Sequence, residues 1–205
     1  FIGGYILEGS KPGAVAGACW LAHRTIPLDS SGYGVIIGET IRAAQELYGL
    51  LWSLNTREPP PPYRVRCLTR PDLNMVCFIV NKENNNSLEE MNKLNNYLYE
   101  RFSVTPGDKK SVYAQDFYIT KTEFRPTTYR SEKCIDSLLR SVGVSKAEFF
   151  TKGIPIIVLR CSVFSPWLSK LSYGTDILER FVESLHKAIM SYIGNMPSEA
   201  DESEA

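Results

Sequence analysis

Histidine is scarce in this 205-residue chain: His23 and His186 are the only two, and neither joins a cysteine, serine or carboxylate in a recognised nucleophile motif. Catalysis by these residues alone would lack an evident nucleophile or base. The five cysteines (Cys19, Cys67, Cys77, Cys134, Cys161) form no Cys-x-x-Cys pair, and with so few histidines no zinc site is expected. Four of them lie in apolar segments, as reduced buried thiols do, which predicts a reducing, cytoplasmic compartment. Charge of one sign is also missing. The 23 Lys and Arg balance the 23 Asp and Glu, so no global field advertises a nucleic-acid or membrane partner. No apolar run is long enough to span a bilayer, and there is no Walker loop, Gly-x-Gly-x-x-Gly or zinc-protease helix. A basic leader is absent as well. The chain opens in mid-structure with Phe1-Ile2-Gly3-Gly4, and the expectation is a piece of a longer protein.

What remains is ordinary globular material, 43% apolar and 22% charged, in a chain long enough to bury a core. Ile37, Ile41, Ala44, Tyr48 and Leu51 recur at helical spacing and predict an amphipathic helix over residues 34–54. Glu58-Pro59-Pro60-Pro61-Pro62 stops it and predicts a stiff, extended connector and domain boundary. Strands are predicted over residues 63–68, 75–80, 116–124 and 154–164, with Pro155 confining the last to an edge or to its first residues. Ser87-Leu88-Glu89-Glu90 has capping-box spacing and starts an amphipathic helix carrying Leu88, Met91, Leu94, Leu98 and Phe102. A short helix over 131–142 ends near Gly143, and one over 173–192 carries Ile177, Phe181, Leu185 and Ile189. This order fits an antiparallel sheet with helices on one face. The acidic end, 196–205, reads as a disordered tail.

Two constellations bear on chemistry. Gly9-Ser10-Lys11-Pro12-Gly13 leads into a helix of small residues. Serine suits its N-cap, proline its first turn, and the remaining N–H groups favour an anion such as phosphate. The plain alternative is a helix start without a ligand. In Leu159-Arg160-Cys161-Ser162-Val163-Phe164, strand alternation puts Arg160 and Ser162 on one face. A guanidinium there suits bidentate pairing with a carboxylate, and Ser162 a hydrogen bond to a polar substrate group. The alternative is a structural salt bridge across the sheet and a satisfied hydroxyl. His23 reads as a packing or capping residue, and His186-Lys187 as part of a solvated helix face.

The blocks Tyr5-Ile6-Leu7-Glu8-Gly9-Ser10-Lys11-Pro12-Gly13-Ala14, Trp20-Leu21-Ala22-His23-Arg24, Pro27-Leu28 with Gly32-Tyr33-Gly34, Pro71-Asp72-Leu73-Asn74-Met75-Val76, Met91-Asn92-Lys93-Leu94-Asn95 and Val158-Leu159-Arg160-Cys161-Ser162-Val163 run in one order along nearly the whole chain. Together they resemble the group II pyridoxal-phosphate (PLP) amino-acid decarboxylases, most of all the bacterial tyrosine decarboxylases.

The resemblance implies the C-terminal part of an α/β PLP fold-type I enzyme (aspartate aminotransferase-like). Residues 1–58 would end the large domain, 59–62 connect, 63–195 form a small α+β domain with an antiparallel sheet, and 196–205 trail. The Schiff-base lysine would lie upstream, so no catalytic residue is expected in this chain and the fragment alone should be inactive. In these homodimers the matching serine, Ser10, reaches the PLP phosphate of the neighbouring subunit. Arg160 matches the arginine that meets the substrate carboxylate, and Ser162 a position lining the side-chain pocket. The implied reaction removes CO2 from an aromatic L-amino acid, tyrosine foremost, to give its amine. A glutamate decarboxylase is disfavoured by the first block. The competing expectation is a non-catalytic α+β module for dimerisation or ligand binding, derived from such an enzyme.

Overall fold

The computed structural model describes residues 12–104, 115–129 and 132–195. Four strands, β1 (Tyr63–Cys67), β2 (Met75–Lys82), β3 (Thr120–Phe124) and β4 (Ile156–Ser162), form one antiparallel sheet in the order β1-β2-β4-β3. Seven helices accompany it: α1 (Gly13–Thr25), α2 (Tyr33–Ser53), α3 (Leu88–Arg101), α4 (Glu132–Arg140), α5 (Lys146–Lys152), α6 (Lys170–Tyr173) and α7 (Ile177–Gly194). None of the helices among the described residues is long and apolar enough to cross a membrane.

The strand register sorts the side chains into two cores. Val65 opposite Val80, Cys67 opposite Phe78, and Val76 opposite Cys161 share one face. They are buried with Leu47 and Leu51 of α2, Leu94 and Leu98 of α3, and Phe181, Leu185 and Ile189 of α7. The other face carries Ile79, Ile156 and Val158, which pack on Ile135 and Leu139 of α4, Val142 and Val144 of the turn after it, and Phe149 of α5. Helices therefore lie on both faces, not on one as the element order suggested. The difference comes from α4, which covers the opposite face from α2 and α7, together with α5, seven residues that repeat no long apolar pattern. Ser145 caps it by accepting from the Ala147 N–H at 3.2 Å, and Gly153 ends it in the left-handed region at φ 71°.

Helix α3 acts as a wedge between the two cores. Strands β2 and β4 pair from Met75–Ser162 to Phe78–Leu159, and beyond that point asparagines of α3 take over. Asn95 accepts from the Val80 N–H at 3.0 Å and donates to the Val80 carbonyl at 2.8 Å. Asn92 accepts from the Ile157 N–H at 3.0 Å and donates to the Pro155 carbonyl at 2.6 Å. The strands thus part without orphaning buried backbone groups. The expected capping box is half realised. Ser87 accepts from the Glu90 N–H at 3.4 Å, while the Glu90 carboxylate turns to Lys93 and Asn85 accepts the Ser87 N–H.

The apolar stripe of α2 is rotated from the one read in the sequence. Thr40, Ala43, Ala44, Leu47 and Leu51 are buried, whereas Ile37 is 53% exposed. The first turns of α2 and all of α1 bury nothing. Val15, Trp20, Leu21, Leu28, Val35 and Ile37 together present a broad apolar surface. The proline connector does not part α2 from the sheet, because Leu51 and Leu54 share a cluster with Tyr63 and Val65 across it. Asn55 also ties the edge strand down, accepting from the Val65 N–H at 2.8 Å and donating to its carbonyl at 2.9 Å. The predicted strand over 116–124 shortens to β3.

The turn from α1 to α2 explains two glycines of the Gly32-Tyr33-Gly34 block. A Cβ on Gly32 would stand 2.1 Å from the Pro27 carbonyl oxygen, and one on Gly34 would stand 2.8 Å from that of Asp29. The Asp29 carboxylate closes the turn by accepting from the N–H groups of Ser31 and Gly32 and from the Ser31 hydroxyl. These bonds, led by the hydroxyl, hold its pKa below the ordinary value.

Candidate functional site

The first residues of β4, Ile156 to Leu159, are apolar and buried on both sides, which fixes this strand in the middle of the sheet. Alternation then carries Ile156, Val158, Arg160 and Ser162 along one face. Helices α4 and α5 cover the first two of these, while Arg160 and Ser162 are only half-buried. The strand end is pinned by Asn74, whose carbonyl accepts from the Val163 N–H at 2.7 Å and whose side chain donates to the Val163 carbonyl at 3.0 Å.

Arg160 sits between Cys77 of β2 and Thr120 of β3, its partners in the register. Its Nε donates to Thr120 Oγ1 at 2.9 Å, and that hydroxyl donates to the Arg160 carbonyl at 3.1 Å. No carboxylate among the described residues pairs with the guanidinium, so the cross-sheet salt bridge weighed from the sequence is not formed there. Ser162 stands opposite Met75, which is 42% exposed, and its hydroxyl makes no hydrogen bond among the described residues. Cys77 is half-buried beside Arg160. Burial raises its thiol pKa, and the charge of Arg160 opposes that rise. The result is a cation, two hydroxyls and a thiol on one open half-face, with the terminal guanidinium nitrogens uncommitted.

Other residues read in the sequence fall elsewhere. Ser10 lies outside the described residues. The cap position of α1 is Pro12 and not a serine, so the proline precedes the helix instead of entering its first turn. Among the described residues no side chain caps this end, and its first turn contains no acid. His23 is exposed in the last turn of α1, with Cys19 Sγ 3.5 Å from its Nε2 and the Tyr33 ring edge-on at 6.1 Å. His186 is not on a solvated face. It is half-buried, and its Nδ1 lies 2.6 Å from the Tyr63 hydroxyl. Lys187 beside it is exposed. Nor are four cysteines buried: Cys67 and Cys161 are, Cys77 is half so, and Cys19 and Cys134 are exposed. Among the described residues no group of three or more His, Cys, Asp or Glu could hold a metal ion. A cleft of about 730 Å³ lies between the ends of α3 and α7, lined by Tyr97, Arg101, Phe117 and Lys187, and includes neither Arg160 nor Ser162. Thr120 is the residue that sequence reasoning missed. It lay inside a predicted strand, but only the pairing of β3 with β4 reveals its partner.

Comparison with known proteins identifies the family. The family described as "Tyrosine decarboxylase, C-terminal" matches residues 43–193, most of the chain and all four strands. An L-tyrosine decarboxylase of Levilactobacillus brevis is 31% identical over 203 residues, 99% of this chain and 31% of that protein. Those of Enterococcus faecalis and Enterococcus faecium are 34% and 36% identical over 168 residues, 82% of this chain and 26% of theirs. The chain thus spans under a third of the length of these relatives.

Proposed function

Because the chain belongs to the tyrosine decarboxylase C-terminal family, we propose that it is the C-terminal part of a PLP-dependent decarboxylase. The whole protein converts an aromatic L-amino acid, tyrosine foremost, to its amine and CO2. The observation that carries this reading is Arg160, a half-buried guanidinium without a carboxylate partner among the described residues, on the open half of the sheet face. A fixed guanidinium with its terminal nitrogens free suits a substrate carboxylate, which it grips through two parallel N–H···O bonds.

Arg160 holds the carboxylate that will leave and sets the direction of its bond to Cα. With PLP bound, the direction Arg160 gives that bond would favour loss of CO2 over competing reactions. Ser162, two residues along the same face, offers a free hydroxyl to the polar end of the side chain. When bound, PLP supplies the electron sink for the breaking bond, and the lysine that carries it belongs to the part of the protein upstream of Phe1.

The phosphate end of that cofactor falls to Ser10 of the neighbouring subunit, which makes the working enzyme a homodimer. The start of α1 suits an anion: among the described residues it has no side-chain cap, its first turn holds no acid, and it carries the positive end of the helix dipole. Residues 1–58 close the large domain, with α2 running from it into the core of the small one. The full-length protein works in the cytoplasm.

The test is Arg160→Ala in the full-length holoenzyme, assayed with tyrosine, phenylalanine, DOPA and glutamate. Wild type should prefer the aromatic substrates, and the variant should lose roughly a hundredfold in kcat/KM. Equal kinetics would remove Arg160 from the site. Inactivity of the wild type on all four would favour a non-catalytic module.

A further inference from the structure

Thr120 is the one side chain that grips the guanidinium of Arg160 among the described residues, and it does so in both directions. Its hydroxyl accepts from Nε at 2.9 Å and donates to the main-chain carbonyl of Arg160 at 3.1 Å. A hydroxyl has one proton and two lone pairs, so the two bonds coexist. The residues face each other across the β3–β4 register, where side chains on one face touch.

This arrangement restricts the arginine. An arginine has four rotatable side-chain bonds, and ordering it from water costs entropy that a pre-set residue does not spend on binding. With Nε occupied, the side-on edge of the guanidinium is closed to a second anion and the end-on edge, Nη1 with Nη2, stays open. We infer that Thr120 is a positioning residue, which presents the terminal fork of Arg160 end-on to the carboxylate of the substrate and thereby favours carboxylate-bearing ligands over their amines. The inference rests on the role proposed for Arg160. Cys77 faces Arg160 from the other side in the register, and its half-buried thiol offers no charge that would draw the fork inward.

The full-length holoenzyme tests this with Thr120→Val, Thr120→Ser and Arg160→Ala. Valine keeps the β-branched shape and strand preference of threonine and removes only the hydroxyl, so the sheet is retained. The readouts are kcat and KM for tyrosine, and inhibition constants for two probes. One is 3-(4-hydroxyphenyl)propionate, which has the carboxylate and no amine; the other is tyramine, which has the amine and no carboxylate. T120V should lower kcat/KM roughly tenfold and weaken the propionate by a similar factor, as expected for a lost hydrogen bond to a charged group. Tyramine should bind as in wild type, and T120S should recover most of the loss. If R160A is impaired while T120V matches wild type, the positioning role is overturned and the function proposed above stands. If T120V weakens both probes equally, Thr120 is merely structural and the inference fails. If R160A itself matches an active wild type, Arg160 is not in the site and the inference fails while the decarboxylase reading stands; if the wild type is inactive on every substrate, that reading fails as well.

Discussion

Asn95 of α3 holds both polar groups of Val80 in β2, accepting its N–H at 3.0 Å and donating to its carbonyl at 2.8 Å. Asn95 is completely buried and also donates to the Met91 carbonyl. One side chain thus stands in for a neighbouring strand where β2 and β4 part. Replacing it with leucine, of similar size, leaves a buried donor and acceptor unpaired, at a cost of about 2–5 kcal/mol. We expect the urea midpoint of the 205-residue chain to fall accordingly in Asn95→Leu. A loss below about 0.5 kcal/mol would show that water or a strand shift replaces the asparagine.

The five thiols should separate into classes. Burial pushes Cys67 up to about 12 and raises Cys161 further, so neither presents a thiolate at neutral pH. Cys19 and Cys134 are exposed. Brief alkylation of the native 205-residue chain, read by peptide mass spectrometry, should label Cys19 and Cys134 first, Cys77 more slowly, and Cys67 and Cys161 only in denaturant. Early labelling of Cys161 would contradict its burial in the core that β4 shares with α3 and α7.

Much of the sheet could be read before its structure was known, because alternation in Tyr63-Arg64-Val65-Arg66-Cys67 and the apolar run after Met75 are local patterns. The face of α7 was equally legible: Phe181, Leu185 and Ile189 are buried as their spacing implies. The stripe of α2 was misread by about one residue, since its first turns show apolar side chains to solvent and dilute the period. The site divides along the same line. That Arg160 and Ser162 share a face follows from strand geometry alone. That Thr120 holds Arg160 and that Tyr63 meets His186 depend on pairings 40 and 123 residues apart in β3–β4 and β1–α7, and that α3 wedges between strands depends on Asn92 reaching β4 from 65 residues away, which no local pattern encodes.

Ser10 is proposed to reach the cofactor phosphate of the partner subunit. Ser10→Ala in the full-length dimer should weaken PLP retention by roughly tenfold, the worth of one hydrogen bond to a charged group, without altering the dimer. Titration of the apoenzyme with PLP, followed by the absorbance of the bound cofactor, measures this directly. Identical affinity would remove Ser10 from the cofactor site, while loss of the dimer would recast it as an interface residue.

His186 should make the stability of the chain sensitive to mild acid. Its pKa is held below the ordinary 6.5, first by burial and then by the Arg57 charge, with Glu183 pulling the other way and Lys187 adding to the depression. Burial pushes the Tyr63 phenol up to about 12, so at neutral pH its O–H is intact, and it shares one hydrogen bond with the imidazole Nδ1 across 2.6 Å. A lowered pKa in the folded state means that the unfolded chain takes up the proton first as pH falls. The contribution of this site is therefore complete above about 6.5, is withdrawn as pH falls from there toward the lowered folded value, and then levels off. Urea midpoints between pH 7.5 and 5 should fall faster for wild type than for His186→Gln. In Tyr63→Phe the ring packing remains while the hydrogen bond to Nδ1 is gone, so the midpoint should drop at pH 7.5. Parallel profiles for all three proteins would mean that His186 titrates alike in the folded and unfolded chains, and the Tyr63–His186 bond would then carry no pH dependence.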